Sequence, residues 1–428
     1  MIKKYFYIKT LGCKVNQYES QVIRENFLKN GYLETNNWNK ADVYVVNTCT
    51  VTSTSDSKSL RSIRFDIGKK NKCVIATGCT VDAGGPDLYK LKGVNFFIKN
   101  KDKYNIPYII RGAQERQSVK APEIETRITG FKNHARAFVK IQDGCDNRCS
   151  YCKVSVIRGF SRSRPLEEVA DECKALIKNG YKEIVLTGIC LGSYGKDISK
   201  DASLLKLITE LCKIEGDWRI RLSSIEPKDV TDDLISQIKS EEKLCKHLHI
   251  PFQSGDDEIL KRMNRPYAAD DYISIVDKLR IAVPDIAIST DIMAGFPGEK
   301  EANFRNTLDF IKKIRPMRLH VFGFSKRAGT PAYNYKDDVS RILKKKREHA
   351  LMDAADGFSR EFEKMFIGKI VRVLAEDRRD KQGFLQGYTD RYIKVLIDAP
   401  KGVKSGFLTC RLALTNQKAY GILLPYSD

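Results

Sequence analysis

Short apolar runs alternate with amphipathic stretches through most of the chain. Near the C-terminus this rhythm gives way to closely spaced short runs. Tyr5–Thr10, Val43–Asn47, Cys73–Thr77 and Asn95–Lys99 read as strands, with a helix over Gln17–Lys29 and a Ser-rich helix start at Ser53–Ser57. Strands alternating with helices predict a parallel sheet with helices on its faces. From Arg111 to about His134 the residues are polar without a clear period and read as a linker. The alternation resumes at Ala137, with strand-like runs at Phe138–Gln142, Glu183–Leu186, Arg219–Ser223, His247–Phe252, Ala287–Asp291 and Arg318–Phe322. Helical patterns such as Leu166–Lys178, Asp270–Arg280 and Glu301–Lys313 lie between them, and a long amphipathic helix over roughly Asp338–Met365 closes the block. Six βα units of this kind predict a partial barrel. After Ile367 come five short segments, Ile370–Ala375, Phe384–Tyr388, Tyr392–Leu396, Phe407–Ala413 and Tyr420–Leu424, which predict a small β-barrel of OB type. The chain therefore reads as α/β, in three domains: residues 1–111, 135–366 and 367–428.

Composition adds a partner. The 428 residues carry a net charge of +21, with 42% apolar and 30% charged residues. That is enough apolar material for a core and excludes a disordered chain. No apolar run approaches the ~20 residues of a membrane helix, and Met1–Thr10 leads straight into a strand with no cleavage site, so a cytoplasmic protein is expected. An excess of positive charge points first to nucleic acid. The last block has eleven basic against six acidic residues, which suits an RNA-binding appendage; a structural cap with an ordinary basic surface is the plainer alternative.

Twelve cysteines in a reducing compartment favour metal or redox chemistry over disulfides. Cys145, Cys149 and Cys152 share one short loop after the first strand of the second block. A Cys-x3-Cys-x2-Cys loop can hold three irons of a [4Fe–4S] cluster and leave the fourth open to a chelating substrate. Zinc would want a fourth ligand and a second knuckle, and no second knuckle follows. Cys13, Cys49 and Cys79 are far apart in sequence, but each lies just beyond the C-terminal end of a predicted strand of the first block. In an open α/β sheet such ends converge on one ligand site. They could hold a second cluster or be three buried structural cysteines. Cys73 begins its strand, belongs at the far end and is excluded from the set.

The cysteine loop, with Tyr151 before its last cysteine, resembles the signature of the radical S-adenosylmethionine superfamily. Both triplets together resemble the methylthiotransferase family over nearly the whole chain. The supporting stretches are Thr10–Ser20, Asn47–Cys49, Leu186–Gly188, Arg221–Pro227, His249–Gly255 and Asp291–Glu299. The resemblance implies an N-terminal cluster domain, a radical-SAM barrel and a C-terminal TRAM domain, with two [4Fe–4S] clusters on Cys13/Cys49/Cys79 and Cys145/Cys149/Cys152. It implies that one S-adenosylmethionine methylates a sulfur on the first cluster. Another, on the second, yields a 5′-deoxyadenosyl radical that takes hydrogen from C2 of an adenine. An aromatic C–H has no acidic proton and no leaving group, so side-chain acid–base or nucleophilic catalysis cannot readily start this reaction, and cofactors must carry it.

Three family branches act on isopentenyladenosine in tRNA, on a ribosomal-protein aspartate, and on N6-threonylcarbamoyladenosine in tRNA. The Leu11–Asn16 and Arg221–Pro227 segments look most like the third. The implied partners are a tRNA anticodon stem-loop bearing the modified adenosine at position 37, and an electron-donor protein. By position at barrel strand ends, Gly188, Ser224, Glu226, Gln253 and Asp291 are candidate S-adenosylmethionine contacts, with backbone around Tyr151. Arg158, Arg162 and Arg164, just after the cluster loop, are candidates for the substrate carboxylate, or else for tRNA phosphates. His247 and His249 read as core or site-edge histidines rather than ligands. Lys344–Arg347 reads as a solvated basic face. Cys190, where His or Asn is expected in relatives, reads as a buried small residue rather than an extra ligand.

Overall fold

The computed structural model describes residues 4–66, 72–84, 88–115, 124–132, 134–415 and 418–424. The first block holds β1 (Tyr5–Thr10), α1 (Lys14–Lys29), β2 (Leu33–Glu34), β3 (Val43–Thr48), α2 (Ser53–Asp66), β4 (Cys73–Gly78), α3 (Cys79–Ala83) and β5 (Phe96–Ile98). Its five strands form one parallel sheet in the order β2-β1-β3-β4-β5. Strand β3 is buried throughout, as a central parallel strand covered on both faces should be.

The expected linker is shorter and more ordered than its polarity suggests. Helix α4 (Ile106–Glu115) runs past Arg111, with Ile106 and Ile110 in the core beneath the sheet. Residues 116–123 and 133 lie outside the described residues. Between them, Thr129 N and Oγ1 donate to Glu25, and Tyr18 Oη donates to Thr126 O at 2.8 Å, so this segment is strapped to α1. The sequence looks like a linker because these bonds use backbone groups, which leave no periodic signature.

The second block has β6 (Arg136–Lys140), a two-residue hairpin pair β7 (Gln142–Asp143) and β8 (Arg162–Ser163), with α5 (Val154–Arg158) inside it. There follow α6 (Leu166–Lys178), β9 (Glu183–Thr187), α7 (Leu204–Cys212), β10 (Arg219–Leu222), α8 (Asp232–Ser240) and β11 (His247–His249). Next come α9 (Asp257–Arg262), α10 (Ala269–Ala282), β12 (Ala287–Ala294), α11 (Glu301–Ile314), β13 (Arg318–Gly323) and α12 (Arg341–Lys364). Strands β10-β9-β6 and β11-β12-β13 form two parallel triplets, joined by bridges at Ile220–Leu244 and Ser224–His249. This is the expected six-stranded partial barrel. The last five strands, β14 (Ile370–Arg379), β15 (Leu385–Thr389), β16 (Lys394–Asp398), β17 (Gly406–Thr415) and β18 (Lys418–Leu423), close into a barrel. Among the described residues no helix is long and apolar enough to cross a membrane.

Two buried carboxylates fix how the blocks sit. Glu19, on α1, is 1% exposed and accepts from Lys140 Nζ at 3.0 Å and from Arg158 at 3.0 and 3.1 Å, and it also pairs with Lys103. Burial raises its pKa, but Arg158, Lys103 and Lys140 outweigh burial and hold it well below the usual carboxylate range. Glu183, at the start of β9, accepts from Arg219 Nε at 2.7 Å and Arg221 Nε at 2.9 Å. Those arginines reach on to the Tyr388, Thr389 and Asp390 carbonyls of the small barrel. Burial opposes ionisation of Glu183, and Arg221 and Arg219 overcome it.

Removing either carboxylate leaves buried cations unmatched, which costs about 3–5 kcal/mol. Glu19→Gln and Glu183→Gln should each lower the thermal midpoint by several degrees. Both folded-state pKa values are depressed, so the stabilisation is complete above the unfolded carboxylate value of about 4.3. It is lost as pH falls from there through the folded values. The wild-type midpoint should drop steeply below about pH 5, and the variants should show a shallower drop. Variants that follow the wild-type pH curve would show that these carboxylates are not the coupled groups.

Candidate active site

The first cysteine set is built by strand ends. Cys13 caps the N-terminus of α1, Cys49 follows β3, and Cys79 follows β4 and opens α3. Asn16 Nδ2 donates to Leu11 O and Thr48 O, each at 2.8 Å, and Asn47 Nδ2 donates to Asn16 O at 3.0 Å, so the loops after β1 and β3 are locked together. Gly12, at φ +101°, passes so close that an added Cβ would lie 2.7 Å from Cys49 Sγ. No side chain fits there. The three thiols lie near enough to influence one another electrostatically, and burial pushes the Cys49 thiol up to about 11. Cys73 pairs with Val43 at the opposite end of the sheet, so it lies away from this set.

The second set sits on the loop between β7 and α5. Gly144 takes φ +74°, and an added Cβ there would strike Phe160 O at 1.9 Å. Cys145 N donates to Gly159 O at 3.0 Å, which folds the loop back on itself. Arg265 Nη1 donates to Cys149 Sγ at 3.0 Å and Nη2 to Glu226 at 2.7 Å, so a cation stands against a thiol that would ligate as thiolate. Val154 N lies 3.4 Å from Cys152 Sγ. Burial pushes the Cys152 thiol up to about 11, a cost that metal ligation removes by taking the proton's place.

Cys79 and Cys152 line one cavity of about 340 Å³, together with Tyr151, Asp291 and Arg327. Its other walls include Val51, Val154, Met293, Phe322 and Phe324. One thiol of each set thus faces a shared, mostly apolar space, and the two sets of three cysteines would suit two iron–sulfur clusters.

The residues expected to contact S-adenosylmethionine differ in how free they are. Gln253 is buried in the left-handed region at φ +79°, and its Oε1 has no partner. Such strain in a non-glycine residue gathers at functional sites. Ser223 Oγ, beside Ser224, is likewise buried without a partner, while Ser224 bridges His249. These orphaned atoms at strand ends suit a polar ligand such as S-adenosylmethionine. Asp291 faces the cavity. Burial opposes its ionisation, but hydrogen bonds from His249 and His320 hold its carboxyl well below the usual range. Glu226 is spent on Arg265. Gly188 makes room for Gln142, whose Oε1 would lie 2.9 Å from an added Cβ. Tyr151 packs edge-on against Phe296.

Two of the three arginines expected at the carboxylate have other work. Arg158 is bound to Glu19, Asp143 and Asn16, and Arg164 to Glu172 at 2.5 Å, because a buried guanidinium must be paired. Arg162 is exposed. The basic run Lys344–Arg347 is solvated only in its middle; Lys344 pairs with Asp337 and Arg347 with Glu299. His247 and His249 both meet Ser289 Oγ, at 3.1 and 2.9 Å. Arg265, Gln142, Lys153 and Arg327 are not expected from the sequence. Charged residues beyond a helix end read as solvated, and only the Asn264-Arg265-Pro266 turn, with Asn264 at φ +58°, marks an unusual spot.

Residues 139–311 match the radical SAM superfamily and residues 5–99 match the uncharacterized protein family UPF0004. The chain is 39% identical over 401 residues to the threonylcarbamoyladenosine tRNA methylthiotransferase MtaB of Bacillus subtilis, covering 90% of this chain and 89% of that one. It is 41% identical to the MtaB of Thermotoga maritima, with 90% of each covered. The tRNA-2-methylthio-N(6)-dimethylallyladenosine synthase of Acetivibrio thermocellus is 37% identical, covering 87% of this chain and 81% of that one. In fold, the chain is similar to the radical S-adenosylmethionine methyltransferase TsrM of Kitasatospora setae, at a TM-score of 0.58 and 13% identity over 77% of this chain and 74% of that one. With a cysteine of each set lining one cavity, and such likeness along nearly its whole length, the chain belongs to the radical SAM methylthiotransferases, which work with S-adenosylmethionine and two [4Fe–4S] clusters.

Proposed function

We propose that this chain adds a methylthio group to C2 of N6-threonylcarbamoyladenosine, at position 37 beside the tRNA anticodon. When bound, the two clusters supply reductive cleavage of S-adenosylmethionine and a carrier for the transferred sulfur. Cys145, Cys149 and Cys152 hold one, and Cys13, Cys49 and Cys79 the other. Gln253, Asp291, Ser224 and the backbone around Tyr151 orient S-adenosylmethionine, with Glu226 acting through Arg265 and Gly188 through the space it leaves for Gln142. The apolar cavity wall keeps water from the reacting centre. Residues 1–111 and 135–366 form the two halves of this site, and residues 367–428 grip tRNA. The electrons come from a reduced carrier protein, and the reaction takes place in the cytoplasm.

The observation that carries the substrate reading is a pair of unsatisfied donors in the cavity. Lys153 lines it and makes no hydrogen bond or ion pair among the described residues. Burial and the nearby Arg327 lower the pKa of its ammonium. Arg327 donates to Thr50 and pairs with Asp56, yet its buried Nε has no acceptor. A carboxylate such as that of the threonyl group satisfies both. An isopentenyl group satisfies neither and leaves the buried Arg327 Nε without an acceptor.

Anaerobic reconstitution should give two clusters per chain. Replacing Cys145, Cys149 and Cys152 by Ala should leave about half the iron, since three thiolates hold each cluster, whereas Cys73→Ala should change nothing. Total loss of iron in the triple variant would deny independent sites.

With S-adenosylmethionine and reductant, product should form on threonylcarbamoyl tRNA and not on isopentenyl tRNA. Lys153→Met should raise KM for the former about tenfold, equivalent to about 1.4 kcal/mol, and Lys153→Arg should restore it. Turnover on isopentenyl tRNA alone would overturn the substrate.

Lys394, Lys401 and Lys404 are exposed on the small barrel. Changing all three to Ala should weaken tRNA binding and flatten its salt dependence, by a slope of roughly one for each phosphate no longer neutralised. Unchanged affinity and slope would remove this surface from the tRNA footprint.

A further inference from the structure

Three side chains that can each offer a metal-ligand atom meet on the second half of the barrel: His249, Asp291 and His320. They stand on three neighbouring strands, β11, β12 and β13. In the parallel register His249 lies opposite Ser289, and Asp291 lies opposite His320. Residues two apart in a strand share a face, so the positions of Ser289 and Asp291 bring both histidines to one side of the sheet. His249 Nε2 lies 3.3 Å from Asp291 Oδ1, and His320 Nδ1 lies 3.0 Å from the same oxygen. All three ligand atoms fall within 4.8 Å of one another. Adjacent ligands held about 2.1 Å from an ion stand about 3.0–3.4 Å apart, which is the spacing of both nitrogens from the carboxylate. His249, which reads from the sequence as a site-edge histidine, is also held from behind. Its Nδ1 meets Ser289 Oγ at 2.9 Å, and the same hydroxyl meets His247 Nε2 at 3.1 Å. A hydrogen bond at one ring nitrogen that fixes how the other is presented is the usual support of an imidazole ligand.

We propose that His249 Nε2, the Asp291 carboxylate and His320 Nδ1 bind one divalent transition-metal ion. Two imidazoles and a carboxylate are a donor set for an ion such as Mn²⁺, Fe²⁺ or Zn²⁺, and three protein ligands leave positions for water or for an oxygen of a bound molecule. Asp291 borders the cavity shared by Cys79 and Cys152, and Phe322, two residues beyond His320, lines it as well. The ion therefore lies at the cavity edge and draws no ligand from either cysteine set. The His320 side chain is 55% exposed and that of His249 13%, so the site has a way in from solvent and a fixed inner wall. One oxygen of Asp291 serves the ion, and the other is left for S-adenosylmethionine.

The probe is Mn²⁺, added to the full-length chain with its clusters reconstituted, kept in their EPR-silent oxidised state and freed of loosely held iron by a chelator. Electron paramagnetic resonance should show one bound Mn²⁺ per chain, and its pulsed form should show coupling to two imidazole nitrogens. His320→Ala should weaken binding by about a hundredfold or more and leave one nitrogen coupled, because even the outer partners of a ligand are worth about ten- to a hundredfold. Ser289→Ala keeps all three ligands and should weaken binding about ten- to a hundredfold with both nitrogens still coupled. Iron content equal to wild type checks that each variant is folded, and the wild-type couplings need no variant at all. No bound Mn²⁺, bound Mn²⁺ without nitrogen coupling, or equal affinity in wild type and folded His320→Ala would overturn the site. No tRNA, S-adenosylmethionine or turnover enters these measurements, so their outcome is separate from that of the proposed reaction.

Discussion

A single buried carboxylate sets the distance between the two halves of the active site. Glu19 lies on the helix that Cys13 caps, and Arg158 ends the short helix that begins just after Cys152. The ion pair between them links the two cysteine sets through two rigid pieces of backbone. Lys103 and Lys140 complete the cluster, one from each block. Bringing three cations to one buried point is unfavourable unless an acid stands between them, and Coulomb repulsion in a low-dielectric interior would otherwise drive the blocks apart. Ionised Glu19, with Asp143 sharing Arg158 and Lys140, thus holds the two sites toward one cavity.

Given that separation, the rest of the site follows from a topological rule. Parallel strands point their carboxyl ends the same way, so loops after β1, β3 and β4 gather on one side of the first sheet, as the barrel loops gather at its mouth. Cys79 and Cys152, on opposite blocks, consequently share a wall. The reaction class asks for little else from side chains. Substitution at an aromatic C–H draws its driving force from cofactors, so the chain must bind, orient and exclude water, and the orphaned Gln253 Oε1 and Ser223 Oγ are groups of the sort that binding would satisfy.

The pattern of apolar runs suffices to find the parallel strands of the first two blocks, because strands in a parallel sheet are buried on both faces and read as uninterrupted apolar stretches, while the mostly antiparallel small barrel is marked by its closely spaced short runs. Tyr5–Thr10 emerges residue for residue, and the five strands of the small barrel emerge in order, with β14 running on past the expected Ala375 to Arg379 and β16 lying at Lys394–Asp398 rather than Tyr392–Leu396. The segment after Arg111 escapes this reading because Thr126 and Thr129 are held through backbone and carboxylate bonds. Both cysteine sets are legible from spacing and strand ends. The arginines are not. Arg158 and Arg164 look available for a ligand in sequence, and their partners Glu19 and Glu172 are 139 and eight residues away. Lys153, next to Cys152, gives no signal, since what marks it is the absence of a hydrogen bond or ion pair among the described residues.

The same distinction explains where the positive charge acts. Arg136, Arg158, Arg219, Arg221, Arg265, Arg327 and Arg347 are all buried, and each meets a carboxylate. Guanidinium suits this work, because its planar fork can satisfy several acceptors in fixed geometry while staying charged. Buried cations held against carboxylates, even where two share one as Arg219 and Arg221 share Glu183, contribute little to the far field. The excess of +21 must therefore lie mostly on the surface, where lysines such as Lys345, Lys346, Lys401 and Lys404 are exposed. A flexible ammonium is suited to polyanionic phosphate, which offers charge without a fixed register. Arginine makes most of the buried ion pairs of this protein and exposed lysines much of its outer field, so Lys153, which lines the cavity with no hydrogen bond or ion pair among the described residues, departs from both roles.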